Sequence, residues 1–413
     1  MLIRTIVFYI SRVALLIILL ALIIATLFYL QCPVYKFKEG KPFSGNAIFN
    51  PYQSLDSLQW KKANFHTHTT ASDGKNTLSE VQRGFNRYGY QILAISDHSV
   101  VTPQKLNPAY EIPAYEHGIN LSKFHAVIIG ARRGSIFDYV LFNTPSQKYD
   151  AFRRHHMRGD IVVLDHPDRT RWLNPEDFRY ISWYHFLEVQ KGSAIGELPY
   201  YDTALSNGHY ASAMASDDCH NVEDNRRFAR AATYVYTPTA RYADVRDALL
   251  RGRTFALNIP PFADDPLYKL KRHHHLPQIR SLVVANDTVT VHLSETATIR
   301  AFGQAGKLRG EVGDTNRASF PFTTSDTYLR FVAEFPDGVM LFTNPLVRYD
   351  GNTILFENLA QISYPLTVAY MATCLLLLVI WIWLFIRVSK SIFRFAKTSR
   401  VSLSAEITPN ENA

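Results

Sequence analysis

The sequence is poor in cysteine: Cys32, Cys219 and Cys374 are the only three among 413 residues. Because they lie far apart and form no CxxC pair, the sequence predicts neither a disulfide framework nor a zinc knuckle. A GxSxG elbow and a glycine-rich P-loop are also missing, which argues against covalent serine catalysis and nucleotide-driven motors. The net charge of +8 is modest and is only weak evidence for a nucleic-acid partner.

Long apolar runs are present, one near each end of the chain. Residues 13–30 are just enough to cross a bilayer as a helix, and Arg4 and Arg12 precede them. This run is longer than the apolar core of a signal peptide, and no small-x-small cleavage site follows it, so we expect an uncleaved anchor. Residues 366–386 form a second run without a charged residue. We therefore predict two transmembrane helices.

Charges around these runs predict the orientation. The residues after the second run are strongly basic, namely Arg387, Lys390, Arg394, Lys397 and Arg400. The positive-inside rule places such a tail in the cytoplasm, where anionic lipid is its expected partner. Two spans then put both termini in the cytoplasm and the central region on the periplasmic side of an inner (plasma) membrane. Lys36, Lys38 and Lys41 beyond the first span oppose this orientation.

The central region alternates between short apolar runs and amphipathic stretches. Predicted strands cover residues 62–68, 91–98, 160–167, 185–192 and 211–220, with predicted helices at 77–89 and from 243. This alternation favours parallel βα units in a barrel-like arrangement, and in such folds the loops after the strands build the active site. Residues 276–350 alternate with a period of two instead, which predicts a small antiparallel, sandwich-like β domain.

The predicted organisation has seven parts. They are a transmembrane anchor (1–32), a linker (33–61), a central α/β domain (62–258), a basic linker (259–275), a β domain (276–350), a second transmembrane helix (364–387) and a basic cytoplasmic tail (388–413). The basic linker contains His273, His274 and His275, which could bind a metal but fit a surface segment better.

Histidines and carboxylates follow the predicted strands repeatedly. His66 and His68 lie two residues apart, so on a strand both imidazoles face one side and can reach one metal ion. Alone, this pair fits buried structural histidines equally well. Further ionisable residues at strand ends are Asp73, Asp97, His98, Asp165, His166, Asp217, Asp218 and His220. Their recurrence favours a cluster of divalent ions with nitrogen and oxygen ligands.

This ordered set of HxH, SDG, SDH, HP and DDxH resembles the PHP family, named for polymerase and histidinol phosphatase. The resemblance covers residues 62–258 and implies a distorted seven-stranded (β/α) barrel that holds two or three divalent ions, commonly Zn, Mn or Fe. It also implies hydrolysis of phosphomonoesters or phosphodiesters. Residues 112–116 resemble the family's proline-x-x-glutamate segment, although Ala114 stands where glycine is usual, and residues 124–130 resemble its histidine strand.

The resemblance implies three ligand sets. They are His66, His68, Glu116 and Asp218 for one ion; Glu116, His125 and His166 for a second; and Asp73, His98 and His220 for a third. Glu116 would then hold the metal-bridged water that attacks phosphorus. Arg169 and Lys191 are candidate phosphate contacts, although solvated loop cations are the commoner case.

Four carboxylates near these ligands have less certain roles. Asp217 is expected to orient a ligand rather than bind metal. Asp97 and Asp165 either orient ligands or are structural. Glu188 matches a family position after the HP motif.

These expectations define a membrane-anchored, metal-dependent phosphomonoesterase with a phosphate-ester substrate. Two alternatives stay open: a phosphodiesterase or nuclease with the same cluster, and a non-catalytic extracytoplasmic receptor or scaffold built on the same barrel. The sequence leaves the substrate, the metal, the role of the β domain and the oligomeric state undetermined.

Overall fold

The computed structural model describes residues 2–55, 60–104, 108–118, 124–170, 173–190, 198–351, 354 and 360–407. The helices are α1 (Leu2–Tyr29), α2 (Leu78–Arg87), α3 (Pro145–His156), α4 (Leu198–Ser206), α5 (Tyr242–Leu250), α6 (Pro266–His273) and α7 (Tyr364–Ile407). The first strands are β1 (Tyr35–Phe37), β2 (Ala47–Phe49), β3 (Trp60–Asn64), β4 (Ile92–Ile95), β5 (Ile112–His117), β6 (Ala126–Ile129), β7 (Ile161–Leu164), β8 (Phe186–Gln190) and β9 (Ser212–Ala215). The remaining strands are β10 (Ala231–Tyr236), β11 (Thr254–Asn258), β12 (Ile279–Ala285), β13 (Thr288–Gly303), β14 (Lys307–Pro321), β15 (Tyr328–Glu334), β16 (Met340–Thr343), β17 (Leu346–Tyr349) and β18 (Ala360–Ile362).

The chain divides into two compact units, and α1 and α7 belong to the first, with residues 139–141. Both helices are long and apolar enough to cross a membrane, over Thr5–Tyr29 and Tyr364–Ala396. Helix α7 has 44 residues, so it continues well beyond the predicted end of the span at residue 387. At 1.5 Å per residue its length is about 66 Å, roughly twice the hydrocarbon thickness of a bilayer.

Helices α1 and α7 run antiparallel. The ring of Phe8, near the start of α1, stacks on Phe395 near the end of α7, with 4.2 Å between centroids. At the other end, the Val34 N–H donates to Thr367 Oγ1 at 3.0 Å, and the Ser363 N–H donates to the Val34 carbonyl at 2.8 Å. The start of α1 and the later part of α7, around Phe395, therefore lie at the same end of the helix pair, which fits two membrane crossings.

The second unit spans residues 37–138 and 142–360 and contains one large mixed sheet. Its main path runs β12-β13-β15-β16-β11-β10-β3-β4-β5-β6-β7-β8-β9. Strands β3, β4 and β5 are parallel, as are β7, β8 and β9, whereas β6 is antiparallel to both of its neighbours. The predicted α/β class is therefore confirmed, but the expectation of parallel βα units in the central region is wrong at β6, β10 and β11.

Each predicted strand of the central region is present, and so is the helix at residues 77–89. Four of the strands have tighter bounds than predicted, whereas β3 begins at Trp60 and ends at Asn64, before His66 and His68. That helix, α2, begins with a capping box in which Thr77 accepts from the Glu80 N–H and the Glu80 carboxylate accepts from the Thr77 N–H. This satisfies two backbone donors that the first turn of a helix leaves unpaired. Val81 and Phe85 face the core, which fixes the direction of the helix against the sheet.

The central strands form a buried apolar layer. All four residues of β6, of β7 and of β9 are buried, which is typical of strands covered on both faces. Between β9 and β10, the Ala215 N–H donates to Thr233 Oγ1 at 3.0 Å and the Thr233 hydroxyl donates back to the Ala215 carbonyl at 2.9 Å. Closure of these strands into a seven-stranded barrel stays a prediction.

The strands of residues 276–350 are antiparallel, as predicted, and they continue the same sheet through the pairing of β16 with β11. A buried ion pair joins β15 to α4: Arg330 Nε and Nη2 donate to Asp202 Oδ1 and Oδ2 at 2.7 and 2.6 Å. The predicted domain boundaries stay predictions. Within the predicted linker 259–275, helix α6 forms, and His273 is buried beside Lys62 Nζ at 2.7 Å rather than on a surface segment.

Candidate metal centre

One edge of the sheet collects the ionisable residues singled out in the sequence. The carboxyl ends of the parallel strands β3, β4 and β5 meet at this edge, and so do those of β7, β8 and β9. Because β6 runs in the opposite direction, its amino end lies there and brings His125, which directly precedes Ala126. The reversed strand therefore completes the site instead of disrupting it.

Glu116, near the end of β5, lies at the middle of the cluster and is almost fully buried. Its Oε2 lies 3.3 Å from His66 Nε2, 3.1 Å from His68 Nε2 and 3.4 Å from His98 Nδ1. Its Oε1 lies 2.7 Å from His125 Nδ1 and 3.4 Å from His166 Nε2. The two carboxylate oxygens therefore face two different sets of imidazoles, as a carboxylate that bridges two ions does.

Asp218 completes the first of these sets. Its Oδ1 lies 3.2 Å from His66 Nε2 and 3.1 Å from His68 Nε2. One ligand atom from each of His66, His68, Glu116 and Asp218 lies within 4.8 Å of the others, and the same holds for Glu116, His125 and His166. The structure thus brings together the members of the first two predicted ligand sets. Their roles as ligands stay predictions.

The third predicted set meets at Asp73, but the compact group there contains His68 in place of His220. Asp73 Oδ2 lies 3.6 Å from His98 Nε2 and 3.2 Å from His220 Nε2. Asp73 Oδ1 lies 3.4 Å from His68 Nδ1, and His68, Asp73 and His98 form a compact group of possible ligands. His68 therefore faces the first set with Nε2 and the third with Nδ1. This part of the cluster is the more exposed one, since about half of the Asp73 side chain is accessible.

Two backbone conformations at the site are strained. His166 has φ = 27° and Asp218 has φ = 47°, and non-glycine residues rarely adopt positive φ. Such conformations cost about 1–3 kcal/mol each and persist where the surrounding structure enforces them. Both residues follow strand ends, and the turns that hold them aim their side chains back at Glu116 or at the imidazoles around it.

A fourth group lies behind His66. His66 Nδ1 is 3.1 Å from Glu188 Oε1 and 4.0 Å from Asp165 Oδ1. The other oxygen of Glu188 accepts the His166 backbone N–H at 3.0 Å. Glu188, in β8, thereby orients one imidazole and fixes the backbone of a second predicted ligand. Its role at the site is therefore to position His66 and His166.

Asp97 and Asp217 hold the loops of the site. Asp97 accepts hydrogen bonds from the Thr69 N–H at 2.7 Å and from the hydroxyls of Thr69 and Ser72 at 2.8 Å. It therefore shapes the loop that carries Asp73. Asp217 accepts the backbone N–H groups of residues 229–231 at 2.7 to 2.9 Å, in keeping with a supporting rather than a metal-binding role.

The charge balance of the cluster fits divalent cations. Burial raises the pKa of Glu116, but the neighbouring imidazoles of His66, His125 and His166 outweigh this and hold it well below its usual range. Burial lowers the pKa of His66, but Glu116, Asp165 and Glu188 raise it well above 6.5. A buried imidazole surrounded by carboxylates is a site of excess negative charge, which a metal ion neutralises.

Unpaired buried atoms point to the same conclusion. Among the residues that the structure describes, His66 Nε2, His98 Nδ1 and Glu116 Oε2 are buried and make no hydrogen bond, although they face one another. Leaving such polar atoms unpaired costs about 1–3 kcal/mol each. Nitrogen and oxygen donors that converge without hydrogen-bonding geometry are the donor set that Zn, Mn or Fe binds. The residues present therefore fit divalent ions.

A cationic cavity of about 530 Å³ opens beside the cluster. Its lining includes Asp218 and His220 from the cluster and four cations, namely Lys75, Arg169, Arg227 and Arg230. Arg169 Nη1 lies 3.5 Å from Asp218 Oδ2, so the predicted phosphate contact is at the edge of the site. Lys191, the other predicted phosphate contact, lies outside the described residues.

Sequence reasoning missed three of these four cations. Lys75 follows Asp73 by two residues, and its backbone N–H donates to the His220 carbonyl at 2.8 Å. Arg227 and Arg230 lie in the segment NRRFAR, which begins five residues after His220. The sequence did contain a signal for the two arginines, because a basic run that closely follows a predicted metal motif can supply cations next to the metal site.

Comparisons with known proteins add little. No protein-family model matches this chain, and no curated protein matches it. Among solved structures, it is similar to a two-domain protein from Bacteroides vulgatus that contains a predicted PHP-like metal-dependent phosphoesterase. The sequences are 15% identical, the match covers 75% of this chain and 100% of the other, and the TM-score is 0.35. At that level the likeness carries no argument about this chain, and the case for its function comes from the metal centre itself.

Proposed function

We propose that this chain is a membrane-anchored, metal-dependent phosphoesterase that hydrolyses phosphomonoesters outside the cytoplasm. The observation that carries the proposal is the position of Glu116, whose two oxygens face separate groups of imidazoles. Such a carboxylate suits a centre with two ions, and the group around Asp73 offers room for a third. The closed seven-stranded barrel is part of this proposal, supported by the hydrogen bonds between Ala215 and Thr233.

Divalent ions held by these ligands would supply an activated water at neutral pH and neutralise charge on the phosphoryl oxygens. The chain's own residues have distinct tasks. Glu116 keeps its two oxygens towards the two groups of imidazoles, and Glu188 fixes His66 with Nε2 turned inwards. Arg169 and Lys75 line the cavity where a phosphate would enter and can pair with its free oxygens.

The cavity favours a monoester over a diester as substrate. A phosphomonoester carries nearly two negative charges at neutral pH, and four cations line the cavity beside the centre. Asp217 and Asp224 also line it, but Asp217 is engaged with three backbone N–H groups, and Asp224 lies 3.8 Å from Arg227. Asp218 lines the cavity too and lies 3.5 Å from Arg169, so the surplus of positive charge remains with Lys75 and Arg230.

The test uses the full chain purified in a non-ionic detergent. Its metal content is measured by elemental mass spectrometry after reconstitution with Zn, Mn or Fe(II), and turnover of 4-nitrophenyl phosphate is compared with that of bis(4-nitrophenyl) phosphate. The proposal expects two or more ions per chain and faster turnover of the monoester. In the His66→Ala/His68→Ala double variant, bound metal and turnover are expected to fall together.

A matched control replaces two exposed histidines outside the centre, His274→Ala/His275→Ala, and is expected to keep both metal and activity. A folded, reconstituted chain without bound metal would favour the receptor or scaffold function instead. If the chain binds metal but turns over only the diester, the metal centre is supported and the protein is a phosphodiesterase, so the proposed monoesterase activity is wrong.

A further inference from the structure

A second cationic cavity, of about 470 Å³, lies away from the metal centre. We call it the arginine cavity; its lining comprises Gly130, Arg132, Arg133, Met157, Arg158, Gly159 and Asp160. These residues follow β6 and precede β7, whereas His125 and His166 lie at the other ends of the same two strands. Four residues of strand span about 13 Å, so the arginine cavity is separate from the centre.

The charge of the arginine cavity is unbalanced. Its one carboxylate is already engaged, because Asp160 Oδ2 lies 2.9 Å from Arg246 Nε and accepts the Tyr242 hydroxyl at 2.7 Å. Among the residues that the structure describes, no carboxylate lies within ion-pair distance of the cavity's three arginines. Three exposed guanidinium groups around a concave surface are suited to a phosphate group, which arginine binds in a bidentate manner.

Two other arginines nearby serve the fold instead. Arg153 and Arg154, on α3, both pair with the buried carboxylate of Asp150. Arg154 also lies over the ring of Phe137, 4.5 Å from its centroid, and so holds the segment that follows the arginine cavity. The three unpaired guanidinium groups therefore stand out from arginines of the same region that have structural partners.

Exposed apolar side chains accompany these charges. Met157, in the lining, is 74% exposed, and Ile136, three residues after Arg133, is 69% exposed. Large apolar side chains that stay in contact with water next to arginines are typical of surfaces that rest in the headgroup region of a membrane.

The arginine cavity is close in sequence to a segment of the unit that contains the candidate transmembrane helices. Residues 139–141 belong to the compact unit of α1 and α7. There the Leu141 N–H donates to the Tyr29 hydroxyl at 3.1 Å, and the rings of Tyr29 and Tyr139 meet at 5.3 Å. Tyr29 is the last residue of the first candidate span, where tyrosines mark the lipid–water boundary. Six residues lead from Arg133 to Tyr139, at most about 20 Å of chain.

From this combination we propose that the arginine cavity binds the phosphate of an anionic lipid headgroup. The ligand class is an anionic phospholipid, held by Arg132, Arg133 and Arg158, with Met157 and Ile136 against the upper acyl region. This lipid site is distinct from the proposed phosphoesterase centre. Through it, the lipid composition of the membrane would affect how tightly the second unit binds to the membrane surface. Its test needs no catalytic readout.

The experiment is native mass spectrometry of the full chain in a non-ionic detergent, titrated with phosphatidylglycerol or with phosphatidylcholine. Wild-type chain is expected to retain one phosphatidylglycerol at least about tenfold more tightly than phosphatidylcholine. The Arg132→Gln/Arg133→Gln/Arg158→Gln variant is expected to lose that preference. Hydrogen exchange of residues 130–134 and 157–160 should slow on addition of phosphatidylglycerol to the wild type only.

The control variant replaces three exposed arginines elsewhere, Arg83→Gln/Arg280→Gln/Arg317→Gln, and is expected to bind lipid as the wild type does. Equal retention of both lipids by the wild type would overturn the proposal. So would undiminished phosphatidylglycerol binding by the triple cavity variant with a wild-type melting temperature. If excess inorganic phosphate displaces the lipid completely, the cavity is a site for free phosphate, and the lipid assignment is wrong.

Discussion

The imidazole of His66 and the carboxylate of Glu188 are 3.1 Å apart, in a region from which water is almost completely excluded. His66 Nε2 faces Glu116 and Asp218, so if Nε2 binds the proposed metal, Nδ1 would carry the ring proton and donate to Glu188 Oε1. The carboxylate thus fixes the ring orientation and increases the basicity of the nitrogen that faces the proposed metal.

The first prediction concerns this carboxylate. Glu188→Gln keeps the size of the side chain but removes its charge, so we expect metal affinity to fall about 10- to 100-fold while the fold is kept. Competition with a chelator, followed by metal analysis, measures the loss independently of turnover. Glu311→Gln, at an exposed position on β14, serves as the control. Equal metal retention by Glu188→Gln and wild type would show that Glu188 supports only the backbone of His166.

The second prediction separates two adjacent carboxylates. Asp218 faces two imidazoles of the centre, whereas Asp217 accepts three backbone N–H groups at residues 229–231. We expect Asp218→Asn to lose metal with little loss of stability. Asp217→Asn should keep metal but lose about 1–3 kcal/mol of stability, because its amide N–H₂ would face a backbone donor.

Metal analysis and thermal unfolding of both variants, in the same detergent, check this prediction. Burial raises the pKa of Asp217 to about 6, with the three backbone donors opposing the shift. The contribution of Asp217 to stability should therefore be compared well above that pH, where its carboxylate is ionised. Metal loss in Asp217→Asn with unchanged stability would reverse the two assigned roles.

How far the sequence predicts this site depends on local pattern. His66 and His68 could be placed on one side of a strand end from their spacing alone, and the Thr77 and Glu80 capping box fixed the start of α2. Strand positions followed from short buried apolar runs bounded by polar residues. These features depend on a few neighbouring residues, so they can be predicted without knowledge of the fold.

Strand direction could not be predicted in the same way. The sequence of residues 126–129 fits a buried strand that runs in either direction. All four residues are buried, so the pattern of polar and apolar residues does not indicate the direction of the strand. Only pairing with β5 and β7 reveals that β6 is reversed and that His125 enters the centre from its amino end. Similarly, the link between Glu188 and His66 joins residues more than a hundred positions apart, and no local pattern encodes it.

The third prediction concerns pH and His185, which lies outside the metal centre. The Val162 N–H donates to His185 Nδ1 at 3.1 Å, so the folded ring is neutral. Burial and then the neighbouring His156 lower its pKa to about 3, and Arg246 acts in the same direction against Asp160. The unfolded chain takes up this proton near pH 6.5. Stability is therefore complete above that pH and falls as pH decreases from about 6.5 towards 3.

His185→Asn retains an acceptor for the Val162 N–H and removes the titration. We expect its loss of stability between about pH 7.5 and about pH 5.5 to be smaller than that of the wild type, by up to about 1.4 kcal/mol per pH unit below 6.5. Thermal unfolding of the full chain in detergent at the two pH values measures this, with His274→Asn at an exposed position as the control. Identical pH dependence in wild type and His185→Asn would contradict the assignment.

The last prediction concerns the side of the membrane on which the candidate metal centre lies. The antiparallel packing of α1 and α7 places Phe8 and Phe395 on one side, and the basic residues that follow residue 386 predict that this side is the cytoplasm. Because all three native cysteines are buried, a cysteine introduced at an exposed position can be followed separately. Asp314→Cys, on β14, should react with a membrane-impermeant maleimide in intact spheroplasts. Ile3→Cys, 77% exposed at the start of α1, should react only after the membrane is opened. The reverse pattern would place the candidate metal centre in the cytoplasm, where the substrates of the proposed phosphoesterase would be cytoplasmic phosphate esters, and would leave the geometry around Glu116 unaffected.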